Sequence, residues 1–212
     1  MNLAAVTSNN WLFVADSNCR LLGFPLHAFD EKEKLESELT LNYITREQSD
    51  VTEMAQLDMS INFVYSGLHN GTEIVGCVDD GGNVVLWKVN GDQTAIFLQN
   101  NDRISTWGLA TSNCHSYVAA SANNHCIRLW NTTCIQDSFT LSGHQHNIPC
   151  ISFVASGEFL VSASIDGTIR IWDVFKERKC LKRIKVPEEE WGWTCLLIEK
   201  QAIFATKHPN HS

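Results

Sequence analysis

The residues best equipped for chemistry in this chain lie between Gly143 and Trp172. The stretch "GHQH" brings two imidazoles, His144 and His146, and "SASIDG" brings Ser162, Ser164 and a lone carboxylate, Asp166. Serine, histidine and aspartate are the working parts of a hydrolase. The imidazole takes the hydroxyl proton, and the carboxylate fixes the imidazole tautomer. A serine nucleophile also needs a sharp turn that presents it, and neither Ser162 nor Ser164 sits in a G-x-S-x-G elbow. With Cys150, the two imidazoles offer ligands for zinc instead. On a strand His144 and His146 would share a face, but their segment reads as a loop between strands, and no fourth ligand stands at a zinc spacing. "DDGG" lacks the downstream glutamate of a calcium loop. "HPNH" reads as a disordered tail. Neither GxxxxGK[ST] nor GxGxxG occurs. No cofactor and no metal is expected.

The elements that would hold these residues repeat along the chain. "CVDDGGNVVLWKV", "ASANNHCIRLWNT" and "SASIDGTIRIWDV" end around Trp87, Trp130 and Trp172, spaced 43 and then 42 residues apart. That period is the mark of a four-stranded blade repeated around an axis. Each unit opens with an alternating run ("SINFVYSG", "STWGLATS", "IPCISFVAS"), followed by a second short run and a tight turn. The run carrying the tryptophan comes third, and a more polar fourth run closes the unit, as in "KCLKRIKV". Four short strands separated by turn residues make a meander. A fainter copy lies upstream, with Phe24 in the tryptophan position and an acidic insert, 29–38, before its fourth strand. "EEEWGWTCLLIEKQAIFAT" supplies two strands of a further copy, and its "WGWT" reads as equivalent in position to "TWGL" in the third unit.

Composition narrows the function. The 212 residues are 44% hydrophobic and 19% charged, as in a globular chain, with a net charge of −8. The segment 30–58 holds nine acids and three bases, so the remainder is close to neutral and offers no electrostatic footprint for nucleic acid. The exception is "KERKCLKRIK", Lys176 to Lys185, with six bases and one acid. On the outermost strand of a blade, lysines discourage edge-to-edge pairing. As a functional patch they would meet phosphate or an acidic partner. The eight cysteines form no CxxC pair, and several sit in apolar runs, "PCISFV" and "TCLLI" among them, as small core residues. There is no signal-peptide pattern and no run of membrane-spanning length. The expected setting is therefore intracellular, nuclear or cytoplasmic, and the sequons at Asn70, Asn131 and Asn210 read as chance.

The best-preserved unit, "LSGHQHNIPCISFVASGEFLVSASIDGTIRIWDV", has Gly143 and His144, a turn Asp166, and a closing Trp172 and Asp173. In this it resembles the WD-repeat family. The other units lack the Gly-His pair, and lysine or asparagine follows their tryptophans. The resemblance implies an all-β fold, a partial β-propeller of four-stranded antiparallel blades, about four and a half in this chain. It divides one domain, 1–212, into blades at 1–45, 58–99, 103–141 and 147–186, a half blade at 191–206 and a tail at 207–212. It also implies a structural hydrogen-bond network from Trp172 to Ser162, to His144, to Asp166, with no catalytic residue. The function implied is a scaffold for other proteins in a multiprotein assembly, with no membrane contact. A hydrolase built on the His144–Asp166 pair, and a nucleic-acid module built on 176–185, are the competing readings. "TWGLATSNCHSYVAAS", the acidic insert and "WGWTCLLI" are similar, more narrowly, to the fungal WD-repeat regulators of ribonucleotide reductase transcription, which implies a nuclear role. Ring propellers close by sharing strands from both chain ends, so the chain is expected to be a piece of a longer protein or to be completed by further blades.

Overall fold

The structure, a computed structural model, describes residues 3–17, 19–26, 39–41, 60–89, 95–100, 103–154, 156–187, 192, 194–198 and 201–205. The acidic insert 29–38, Glu188–Glu190, Trp191, Trp193 and the tail 207–212 lie outside the described residues.

Short alternating runs divided by turn residues give strands that pair only with their neighbours in sequence. The first sheet holds β1 (Ala4–Val6), β2 (Trp11–Ala15), β3 (Leu21–Pro25) and β4 (Leu39–Leu41). The second holds β5 (Ile61–His69), β6 (Thr72–Asp79), β7 (Asn83–Lys88) and β8 (Ala95–Gln99). The third holds β9 (Thr106–Thr111), β10 (Tyr117–Ala122), β11 (Ile127–Asn131) and β12 (Phe139–Leu141). The fourth holds β13 (Cys150–Phe153), β14 (Phe159–Ser164), β15 (Thr168–Asp173) and β16 (Lys179–Lys185). A two-stranded sheet, β17 (Thr194–Ile198) with β18 (Gln201–Ala205), follows. Every pairing between these strands is antiparallel. The architecture is all-β, a partial propeller of four-stranded blades. The one described helix is a single turn at Ile135–Asp137, and no described helix is long and apolar enough to cross a membrane.

The hairpin between the second and third strands of a blade needs one residue at positive φ. Gly82 (78°) and Gly167 (73°) take that place in the second and fourth sheets, and His125 (64°) takes it in the third. A side chain there is strained, because Cβ crowds the carbonyl oxygen.

The core is a series of seams, since the second, third and fourth sheets each bury one face against the preceding sheet and the other against the following one. Phe13 and Leu21 meet Val75, Val85 and Trp87 between the first and second sheets. Val84, Leu86 and Leu109 surround Trp130 between the second and third. Leu129, Ile127 and Leu160 surround Trp172 between the third and fourth. Val161, Ala163 and Ile169 meet Cys195 between the fourth and fifth. Each of the three tryptophans thus packs against the preceding sheet, and alternation along β15 sends Trp172 to one seam and Ile169 to the other.

One expectation is corrected. Gly108 of "TWGL" lies within β9, whereas Gly192 of "WGWT" lies ahead of β17. The reason is a backbone contact. Gly192 N donates to Ser164 O at 3.1 Å, and a Cβ on Gly192 would stand 2.9 Å from both Ser164 N and Ser164 O. This glycine ties its segment to the fourth sheet before β17 begins.

Candidate functional site

The fourth sheet brings the four expected network residues together. Trp172 on β15 lies opposite Leu160 on β14, which places Ser162 one step along the same face. Trp172 Nε1 donates to Ser162 Oγ at 2.8 Å. Ser162 Oγ lies 2.7 Å from His144 Nε2, and His144 Nδ1 lies 2.8 Å from Asp166 Oδ2. With Asp166 ionised, Nδ1 carries the ring proton and donates to the carboxylate. Nε2 then accepts from the Ser162 hydroxyl, whose oxygen in turn accepts from the indole.

The loop and turn around this chain supply partners that residue spacing does not show. Asp166 Oδ1 accepts from Thr168 N at 2.9 Å and from Thr168 Oγ1 at 2.6 Å, and Oδ2 also accepts from Gln145 N at 2.9 Å. Gly143 sits at φ 143°, and a Cβ there would be 2.4 Å from Arg170 Nη1. Arg170 Nη2 donates to Gly143 O at 2.6 Å, and the guanidinium lies 5.7 Å from the centre of the Trp172 ring. The residue before His144 is therefore clamped by the strand that carries the tryptophan. An Asp-Gly-Thr turn is the sequence signal for the Thr168 bond. The Gln145 and Gly143 contacts are backbone bonds, to which residue type gives no clue.

Burial sets the charge states. It keeps the His144 imidazole below its ordinary value, against the pull of Asp166, so the ring is neutral near pH 7. Burial alone would raise the Asp166 carboxyl. The hydrogen bonds from Thr168, Gln145 and His144 outweigh it and hold the carboxyl at about 2.

These distances are those of a catalytic triad, but the access is not. Ser162 is fully buried, and the indole N–H occupies the oxygen that would attack. Ser164 is also fully buried; its hydroxyl reaches Asn147 O at 3.0 Å and receives Asp166 N at 3.1 Å, so it closes the turn. His146 stands apart, accepting from Asn147 N at 2.8 Å, with its ring 5.8 Å from that of His125. Cys150 faces Cys195. Among the described residues no group of three or more His, Cys, Asp or Glu is placed to hold a metal ion.

The second and third sheets lack the serine. At its place, two residues beyond the partner of each tryptophan, stand the buried Cys77 and Ala120. The basic strand is β16, at one edge of its sheet. Of its bases and those leading into it, Lys179 pairs with Glu177, and Arg178 pairs with Asp137 at 2.7 Å and lies over Phe139. The loops at one end of the third and fourth sheets expose apolar and aromatic groups. Ile135 and the Phe175 ring are exposed, and His115 lies 4.5 Å from Phe175 across the two sheets.

Residues 135–173 match the family described as WD domain, G-beta repeat. A WD40 repeat-containing protein of Dictyostelium discoideum is 38% identical over 149 residues, 69% of this chain and 22% of that protein. A WD repeat-containing protein of Schizosaccharomyces pombe is 30% identical over 161 residues, 68% of this chain and 32% of that protein. The nuclear distribution protein PAC1 of Arthroderma otae is 35% identical over 89 residues, 41% of this chain and 18% of that protein. This chain therefore spans between about a fifth and a third of the length of those relatives. A chain in a crystal structure of the mitotic checkpoint complex superposes with a TM-score of 0.70 at 14% identity, over 95% of this chain and 54% of that one, which establishes likeness of fold.

Proposed function

We propose that this WD40-repeat chain is an interaction scaffold that binds other proteins and performs no chemistry of its own. The observation that carries this reading is at Ser162. Its hydroxyl is buried and holds the indole of Trp172 on one side and His144 on the other, so the His144–Asp166 pair serves as an internal brace. A fully satisfied polar network of this kind rigidifies a core. Partner recognition belongs to the loops at the sheet ends, where Ile135 and Phe175 are offered to solvent and half-buried His115 packs on the Phe175 ring. The blade boundaries 1–45, 58–99, 103–141, 147–186 and 191–206 are part of the same proposal, as is a nuclear or cytoplasmic location. The finer role, transcriptional control, rests on the likeness of "WGLA" and "WGWT" to the fungal regulators of ribonucleotide reductase transcription.

The test compares the full-length gene product with two variants. F175A/I135A removes exposed loop groups, and S162A removes the hydroxyl. Partners captured by the parent and identified by mass spectrometry should be lost from F175A/I135A. Turnover of ester, peptide or phosphate substrates that S162A abolishes without unfolding would replace the scaffold with the hydrolase.

A further inference from the structure

Cys150 on β13 and Cys195, the second residue of β17, meet across the seam between the fourth and fifth sheets, their sulfurs 3.6 Å apart. Both are thiols. Cys195 N donates to Cys150 Sγ at 3.3 Å, and the Cys195 thiol has that sulfur, Cys150 O and Val161 O within reach. The N–H, and the S–H when it turns to Cys150, favour the Cys150 thiolate. The Cys195 S–H bond, opposed by burial and helped by the Cys195 N–H, brings Cys150 down to about 7, while the same S–H bond and burial push Cys195 up. Cys150 is partly open to solvent and Cys195 is buried behind it, 4% exposed. A partly exposed thiol of lowered pKa backed by a buried second thiol is the arrangement of an attacking and a resolving cysteine.

We propose that Cys150 and Cys195 form a redox modification site, at which a peroxide converts the pair to a disulfide bridging the fourth and fifth sheets. The Cys150 thiolate attacks one peroxide oxygen; the S–O bond forms as the O–O bond breaks, and hydroxide leaves and takes up a proton. Cys195 then gives up its proton and attacks the Cys150 sulfur; the S–S bond forms as the S–O bond breaks, and water leaves. Two thiols are oxidised and one peroxide is reduced to two waters. A small thiol such as glutathione returns the pair to the reduced state by exchange. Rotation about the two side-chain bonds must close the sulfurs from 3.6 Å to about 2.0 Å. The bridge would reinforce the seam whose buried apolar cluster, Val161, Ala163, Ile169, Val186 and Cys195, is the smallest of the four among the described residues.

The experiment treats the reduced full chain with equimolar hydrogen peroxide, blocks remaining thiols with iodoacetamide, and maps cysteines by non-reducing digestion and mass spectrometry. The expected product is a cross-linked peptide joining Cys150 to Cys195, reversed by dithiothreitol and accompanied by a rise of about 5 °C in unfolding temperature. In C195S, Cys150 should halt as a sulfenic acid that dimedone traps. The wild-type map decides the matter even if C195S folds poorly. Cys150 and Cys195 both recovered alkylated while the exposed Cys114 and Cys134 react, or Cys150 carried to sulfinic acid with Cys195 untouched, overturns the proposal.

Discussion

Ser162 carries two demands at once, an indole N–H to receive and an imidazole nitrogen to supply. Replacing it with alanine leaves both groups buried without a partner. Since an unmet buried polar group costs about 1–3 kcal/mol, S162A should lose about 2–4 kcal/mol in urea unfolding. The same mutation at an unconnected surface serine would be nearly neutral. The titration of the network has a definite sign. His144, lowered by burial, stays neutral in the fold, while the unfolded chain takes a proton at 6.5. Its contribution is therefore present above pH 6.5 and is lost as pH falls through the lower folded value. His69, lowered by burial as well, acts in the same window. Asp166, held at about 2 against an ordinary 3.8, contributes above 3.8 and loses that contribution as pH falls toward 2. Thermal unfolding temperature from pH 7.5 to 5 should fall in the wild type, and H144Q should keep only the part of the slope that belongs to His69 and, near pH 7, to Cys150.

Hairpins are the elements in which sequence and geometry stay closest. Gly167 stands at φ 73° between β14 and β15, so G167A should cost about 1 kcal/mol in chemical unfolding. The edge strand β16 gives the opposite expectation. Lys182 and Arg183 are exposed there, and K182E/R183E should leave stability within about 0.5 kcal/mol of wild type by the same measurement. Unchanged salt dependence of retention on DNA or RNA in that variant is expected if β16 guards an edge, and a loss of retention would favour a nucleic-acid role. Strand runs could be read because alternation, turn residues and the tryptophan period are local features. The path from Trp172 through Ser162 and His144 to Asp166 was legible only through the best-preserved repeat and the family it resembles. Thr168 adds a bond local to its turn, whereas Gln145 and Arg170 complete the network through bonds that depend on how the loop 142–149 folds back over β15. Gly192 of "WGWT" was misplaced because its backbone bond to Ser164, which residue type does not encode, stands ahead of β17. The approach of Cys150 to Cys195 was likewise illegible, because it joins residues 45 positions apart on separate sheets.

At the scale of the whole molecule, four apolar seams join five sheets among the described residues, and Trp87, Trp130 and Trp172 each stand in one of them. Trp172 differs from Trp87 and Trp130 in facing a serine where the others face Cys77 and Ala120, so the polar brace is concentrated in the fourth sheet. The braced seam holds the loop end bearing His144 to the strand bearing Trp172, while the seam between the second and third sheets carries polar bonds of another kind, Thr106 Oγ1 to Asp79 O at 2.8 Å and Asn62 Nδ2 to Thr106 O at 3.0 Å. A catalytic histidine and a structural one respond differently to removal. Active-site groups are commonly held at some cost to stability, so deleting one leaves a fold as stable or more so. Deleting a brace leaves its buried partners unmet. The most direct measurement is equilibrium urea unfolding of H144A beside the wild type at pH 7.5. Loss of about 2 kcal/mol or more is the outcome expected of a brace within a scaffold. A variant as stable as the wild type, or more stable, would contradict it.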